Sequence, residues 1–236
     1  MVTELRRAEI AAGLKAARDR LAAAESAAAR SDGSVALVVI TKTFPAEDVG
    51  VLVDLGVRQV GENRDQEAQP KALALRGSDL VWHFVGQLQT NKARSVAEYC
   101  DIVESVDRLK LVSALARGAQ AVRPPGRPLR CLVQVCLDEQ PGRGGAMPEQ
   151  VADLAAAIAS SPALELAGVM AVAPLDVDPD VAFARLAEVA SDVRREHPGA
   201  DVLSAGMSGD LEPAVESGAT HVRIGSAVLG SRPLRR

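Results

Sequence analysis

At 236 residues the chain can form one large domain or two small ones, and its 47% hydrophobic content supports a sizeable core. A net charge of −4 leaves no basic field to hold a polyanion, and aromatics at 2% leave little for base stacking, so nucleic-acid binding is excluded. Three cysteines (Cys100, Cys131, Cys136) form no CxxC pair and leave an odd one over, which suits a reduced cytoplasm better than a disulfide framework.

The N-terminal segment, Thr3 to about Ala29, is Ala-rich with Leu5, Ile10, Leu14 and Leu21 at roughly helical spacing. That pattern predicts one long amphipathic helix packed on the rest of the molecule. The segment is charged throughout and lacks the apolar core of a signal peptide, and no apolar run is long enough to cross a bilayer. A cytoplasmic protein without membrane contact is expected. Strands are predicted at Val35–Ile40, Val57–Val60, Leu80–Val85, Asp101–Val106, Leu129–Leu137, Leu164–Val172, Asp201–Ser204 and His221–Gly225. Helical patterns fill the gaps at Ala46–Leu55, Arg64–Leu75, Thr90–Tyr99, Arg108–Ala121, Pro148–Ser160, Pro179–His197 and Leu211–Ser217. Arg123–Pro128 reads as a surface loop, and Arg232–Arg236 as a short basic end.

About eight strands alternating with helices leave no second set for another domain. The expected fold is therefore α/β, a single (β/α)8 TIM barrel over 1–236 with an extra helix within 1–30. An open doubly wound sheet would need fewer strands and a recognisable switch point. Because the barrel carries its own core, a monomer is expected.

The run Val35-Ala36-Leu37-Val38-Val39-Ile40 ends on Thr41-Lys42, so Lys42 falls at the C-terminal end of a strand buried on both faces. An ammonium in a partly desolvated mouth loses proton affinity, and the neutral amine attacks aldehydes. A lone lysine past a strand end is otherwise a surface residue. Other strand ends carry Gly61-Glu62-Asn63-Arg64, the run from His83 to Gln89, the run from Ser204 to Asp210, and Arg223-Ile224-Gly225-Ser226. Loops after the seventh and eighth strands are the usual phosphate cradle of this fold. Their glycines let the backbone approach an anion, while Ser208 and Ser226 offer hydroxyls. Taken singly, these glycines are also what caps and tight turns require. An amine facing a phosphate cradle describes a site for a phosphorylated aldehyde, either pyridoxal phosphate (PLP) or a sugar phosphate.

Four pieces carry a specific resemblance: Thr41-Lys42-Thr43-Phe44-Pro45, Gly61-Glu62-Asn63, the run from Trp82 to Lys92 (WHFVGQLQTNK), and Gly206-Met207-Ser208 followed by Val222-Arg223-Ile224-Gly225. Together they resemble the pyridoxal phosphate homeostasis family, whose one-domain barrel is similar to the N-terminal domain of alanine racemase. The resemblance implies PLP held as a Schiff base on Lys42, with its phosphate around Ser208, Gly225 and Ser226. It also places Arg223 near the ring nitrogen and Asn63 and Met207 against the cofactor. A guanidinium there is always charged and only a donor, so it keeps that nitrogen unprotonated and weakens the ring as an electron sink. The chain departs from the family pattern at Cys136, where asparagine is commoner, at Ala205, where methionine is usual, and at Arg64-Asp65, where an aromatic pair is usual.

The function expected is PLP binding and intracellular PLP homeostasis, with PLP-dependent apo-enzymes as conceivable recipients and no catalytic residue assigned. Racemisation needs a base on each face of the Cα. In the related racemases the second is a tyrosine from another domain, whereas the one tyrosine here, Tyr99, falls in a helix. The alternative is a Schiff-base enzyme on the same barrel, a residual racemase or a phosphosugar aldolase, with Glu62 or His83 as acid/base. His83 otherwise reads as a hydrogen-bonded wall residue, and Lys92 fits either the mouth or the solvent. His197, His221 and the acids Asp176, Asp178 and Asp180 show no metal-ligand spacing, so no metal is expected.

Overall fold

A computed structural model describes residues 2–138 and 144–231. Glu139, Gln140 and the basic end Arg232–Arg236 lie outside the described residues. The N-terminal helix α1 (Glu4–Ala27) is capped by the Thr3 hydroxyl, which accepts from the Arg6 N–H. Alternation then follows: β1 (Ala36–Ile40), α2 (Ala46–Asp54), β2 (Gln59–Glu62), α3 (Asp65–Ala74), β3 (Val81–Phe84), α4 (Ala93–Tyr99), β4 (Ile102–Val106) and α5 (Leu109–Val122). The second half holds β5 (Leu129–Gln134), α6 (Pro148–Ala159), β6 (Leu164–Met170), α7 (Pro179–Glu196), β7 (Val202–Ser204), α8 (Leu211–Glu216), β8 (His221–Ile224) and a short α9 (Ser226–Leu229). A 3₁₀ turn, Thr90–Lys92, precedes α4. Helix α2 ends where Gly56 takes φ +81°, a conformation open to glycine.

All eight strands pair in parallel and in sequence order, and β1 closes on β8. This is the expected barrel. Strand β2 starts two residues later than predicted and takes in Gly61 and Glu62, because its ladder to β3 runs from Gln59↔Val81 to Glu62↔Phe84. Glycine and glutamate are poor strand formers, but neighbouring backbones decide the pairing. Strand β5 ends at Gln134, beyond which Val135 makes only an isolated bridge to Ala146. Helix α9 was not anticipated, since four residues carry no period.

Alternation sends Val60, Val39, Val222 and Ile224 outward onto the helices. Ile102, Leu132, Ala167, Met170 and Val202 form a separate apolar cluster within the barrel. Gly61 faces inward, and a Cβ there would stand 2.5 Å from Ile40 Cδ1. The sequence reading gave α1 a packing role, and it lies against α2, α8 and α9, burying Ile10, Leu14, Ala17 and Leu21. Gly13 is where it touches α9: a Cβ there would collide with the Val228 carbonyl oxygen. Gly13→Ala must push the two helices apart, with an expected cost of about 1–3 kcal/mol. Thermal unfolding should then fall by about 2–4 °C per kcal/mol lost at this chain size. An unchanged midpoint would show that α1 does not seat there.

Candidate cofactor site

The C-terminal ends of the strands open on one mouth, and the β1–β8 ladder decides what meets there. Its register, Val38↔Arg223 and Val39↔Ile224, sets the residues after Ile40 beside those after Ile224. Lys42, half-buried, lines a cavity of about 250 Å³ together with Met207, Ser208, Arg223, Gly225 and Ser226. Six of the seven predicted site residues thus share one wall. The seventh, Asn63, lines a neighbouring cavity of about 510 Å³ with Gln87, Gln89 and Lys92. Ile40, Phe44, Gly209 and Gly230 complete the first cavity; of these, the sequence reading named Gly209 in the phosphate loop and Phe44 in the Lys42 motif.

The loop after β7 is held in shape by its own polar groups. Gly206 adopts φ +89°, its carbonyl accepts from the Arg223 N–H at 2.9 Å, and Asp210 Oδ1 accepts from the Met207 N–H at 2.6 Å. Helix α1 braces the loop from behind, since Arg20 donates to the Ser208 carbonyl at 2.6 Å and grips Glu212 with two further bonds. Arg6 likewise donates to the Leu229 carbonyl at 3.0 Å and lies 5.6 Å from the centre of the Phe44 ring.

Arg223 is 4% exposed. Its guanidinium donates to the Ala171 carbonyl and to Ser204 Oγ, both at 2.7 Å, and the Ser204 hydroxyl donates in turn to Glu104 Oε2 at 2.6 Å. Glu104 Oε1 lies 2.6 Å from His83 Nδ1, and Glu104 Oε2 is 3.7 Å from the guanidinium. Burial alone pushes the Glu104 carboxyl up; the His83 hydrogen bond, the Arg223 charge and the Ser204 hydroxyl outweigh it and hold it at about 2. Burial lowers the Arg223 pKa from its ordinary value, against the attraction of Glu104 and Asp210. Glu104 was not predicted, and Ser204 was named only among the residues at the end of its strand. The available signal was a lone acid inside the apolar strand Ile102-Val103-Glu104-Ser105-Val106.

Other candidates fall elsewhere. Glu62 points outward to α3, where Oε1 accepts from Lys71 Nζ and Thr41 Oγ1 at 2.6 Å each. His83 is buried, with Nε2 3.0 Å from Gln59 Oε1 and its ring 6.0 Å from that of His221. Lys92 sits in the second cavity, 3.6 Å from Asp65. Asp178 caps α7, accepting from the Asp180 N–H. The departures Cys136 and Ala205 are buried and do not line the first cavity. All three cysteines are free. Among the described residues no helix is long and apolar enough to cross a membrane, and no group of three His, Cys, Asp or Glu side chains could hold a metal.

The family model of the alanine racemase N-terminal domain matches residues 9–233. The pyridoxal phosphate homeostasis protein of Mycobacterium bovis is 46% identical over 246 residues, covering 98% of this chain and 95% of that protein. The protein of the same name from Escherichia coli is 36% identical over 234 residues, with 95% and 97% covered. The chain belongs to the pyridoxal phosphate homeostasis family. A solved member, PipY of Synechococcus elongatus with PLP bound, superposes with a TM-score of 0.77 at 31% identity, over 94% of this chain and 100% of that one.

Within this family member, the buried network makes acid sensitivity the natural test. Glu104 sits near 2 against an ordinary 4.5, so its stabilising contribution is complete above pH 4.5 and is lost as the pH falls from there towards 2. His221, lowered to about 4 by burial and by the neighbouring His83 charge, opposes folding in an earlier window, as the pH falls from 6.5 to 4. Glu104→Gln should lower stability at pH 7 yet flatten its further loss between pH 4.5 and 2, read by denaturant unfolding at each pH. Parallel curves for the two proteins would remove Glu104 from the linkage.

Proposed function

We propose that this chain is a cytoplasmic PLP-binding protein that holds the cofactor as a Schiff base on Lys42 and serves its intracellular supply, with little catalysis of its own. One observation carries the reading: a half-buried lysine and a buried guanidinium share a cavity rimmed by two serines and three glycines. The donor set fits the compound. Ser208 and Ser226, with the backbone at Gly209 and Gly225, suit a phosphate dianion. Gly225 is fixed by close packing, since a Cβ there would lie 3.3 Å from the Ile40 carbonyl oxygen. When bound, PLP supplies an aldehyde for an amine to capture and a ring that can draw electrons.

The protein's part is to bind and orient. Lys42 is the attachment point, Arg223 faces the ring nitrogen, and Met207, partly exposed on the rim, covers one side. Because Arg223 is a charged donor locked to Ser204 and Ala171, it leaves that nitrogen unprotonated and keeps the ring a weak electron sink. The relatives' name and the PLP in PipY support the same reading. The enzyme alternative called on Glu62 or His83 as acid/base. Glu62 is turned away from the barrel interior, and His83 is tied to Glu104. Recipients of the cofactor are apo-enzymes that need PLP, and the barrel acts as a monomer.

The test adds PLP to the purified protein, records the absorbance band, reduces with borohydride and maps the label over Lys15, Lys42, Lys71, Lys92 and Lys110. Label on Lys42 alone is expected, and its loss in Lys42→Ala. Ser208→Ala with Ser226→Ala should weaken PLP about tenfold or more while leaving pyridoxal, which lacks the phosphate, nearly unchanged. No band, or label spread over exposed lysines, would sink the cofactor reading.

A further inference from the structure

The Lys42 turn is held from both sides by groups that the binding site does not use. Lys71, on α3, is 7% exposed and Glu62 1% exposed. Their ion pair is 2.6 Å long, and Lys71 Nζ also donates to the Thr41 carbonyl at 2.9 Å, the carbonyl that precedes Lys42. The Thr41 hydroxyl donates to the same Glu62 oxygen at 2.6 Å. On the far side of Lys42, Thr43 adopts φ +72°, a left-handed conformation that a β-branched residue resists. Its N–H donates to Glu67 Oε2 at 3.0 Å, again from α3. Thus one helix, with the end of β2, fixes the peptide groups on both flanks of Lys42.

Stability alone does not account for the arrangement. Taking a lysine and a glutamate out of water costs about as much as their attraction returns, and apolar residues of equal volume commonly do as well. Here the compensation is also incomplete. Glu62 Oε2 and Thr43 Oγ1 are buried with no hydrogen-bond partner among the described residues, and burial pushes the Glu62 carboxyl up against the pull of Lys71. Strained backbone of this kind persists only where the surroundings over-determine it. The charge on Lys71 is committed to a carboxylate and a carbonyl, so Lys71 is not itself the aldehyde-capturing amine.

We infer that Lys71 and Glu62, with Glu67, are positioning residues that hold the Thr41–Thr43 turn so that the Lys42 amine faces the cavity. The inference rests on Lys42 being the attachment point. The decisive variant replaces the pair by apolar residues of similar size, Glu62→Leu with Lys71→Met, for which thermal stability equal to or above the wild type is expected. Hydrogen exchange judges the clamp without any cofactor: amides 41–44 should exchange about tenfold faster or more, while β3 to β6 stay protected. PLP capture judges its purpose: the affinity at Lys42 should fall about tenfold or more and the borohydride label spread to other lysines. Glu67→Ala, which frees the Thr43 N–H from a more exposed position, should give the same pattern more weakly and serves if the double variant does not fold. Unchanged exchange at 41–44 overturns the inference whatever PLP does. Faster exchange with undiminished capture on Lys42 leaves a structural contact and overturns the positioning role. A wild type that never labels Lys42 loses the function proposed above, while the exchange data still decide whether the turn is clamped.

Discussion

Pairing of the first strand with the last is the contact on which the site depends. Before β1 and β8 form their ladder, Lys42 and the segment around Arg223 and Ser226 belong to opposite ends of the chain. The register Val38↔Arg223 then fixes them on one wall to within a residue, and a slip of one position would turn Arg223 out of the barrel. Because closure joins distant segments, its entropic cost is recovered only when the whole ring is complete. Helix α1 reinforces this seam from outside. It reaches α2 through Arg6 and Asp48, the β7 loop through Arg20, and α9 through Gly13. An element that looks like an appendage in sequence is a splint across the barrel's closure.

Inside the ring, the protein forgoes a fully apolar filling. Gln59, His83, Glu104, Ser204 and Arg223 run as a polar column beside the cluster of Ile102, Leu132, Ala167, Met170 and Val202. A buried guanidinium without a counter-charge would be prohibitive, so Arg223 at the cavity floor requires Glu104 below it. The carboxylate needs its own donors, supplied by His83 and Ser204. One cation at a fixed place in the site thus commits three further strands to polar residues. The gain is a charge that cannot reorient, since both arms of the guanidinium are already engaged.

How much of this could be read beforehand follows from what is local. The alternation of strands and helices is carried by short-range pattern, and the strand ends then name Lys42, Ser208, Arg223, Gly225 and Ser226, because a barrel brings all such ends together. Asn63 satisfied the same rule but landed in the adjacent cavity, since the rule gives the mouth and not the sector. Gly61 and Glu62 were placed after their strand, because neither favours one and only the ladder to β3 includes them. Glu104 escaped, and Ser204 was named without a role, because each matters through a partner on another strand. Lys71 escaped because a lysine in a polar helix reads as solvated, and only tertiary packing reveals that it is buried over Thr41.

The same placements bear on whether the barrel holds its cofactor or works with it. Proton transfer at a substrate carbon needs a group within hydrogen-bond reach and free to change protonation. Glu62 faces α3 and neutralises Lys71, so freeing it would loosen the turn that carries Lys42. His83 is lodged between Gln59 and Glu104 beneath the site. Tyr99, the one tyrosine in the chain, lies on the outer helix α4, and burial raises its pKa far above the usual phenol. Glu62 and His83, the two side chains named as a possible second base, are thus held by Lys71 and by Glu104. Opposite them, the cavity offers hydroxyls, glycine backbone and a permanent cation, a donor set that suits a phosphorylated aldehyde.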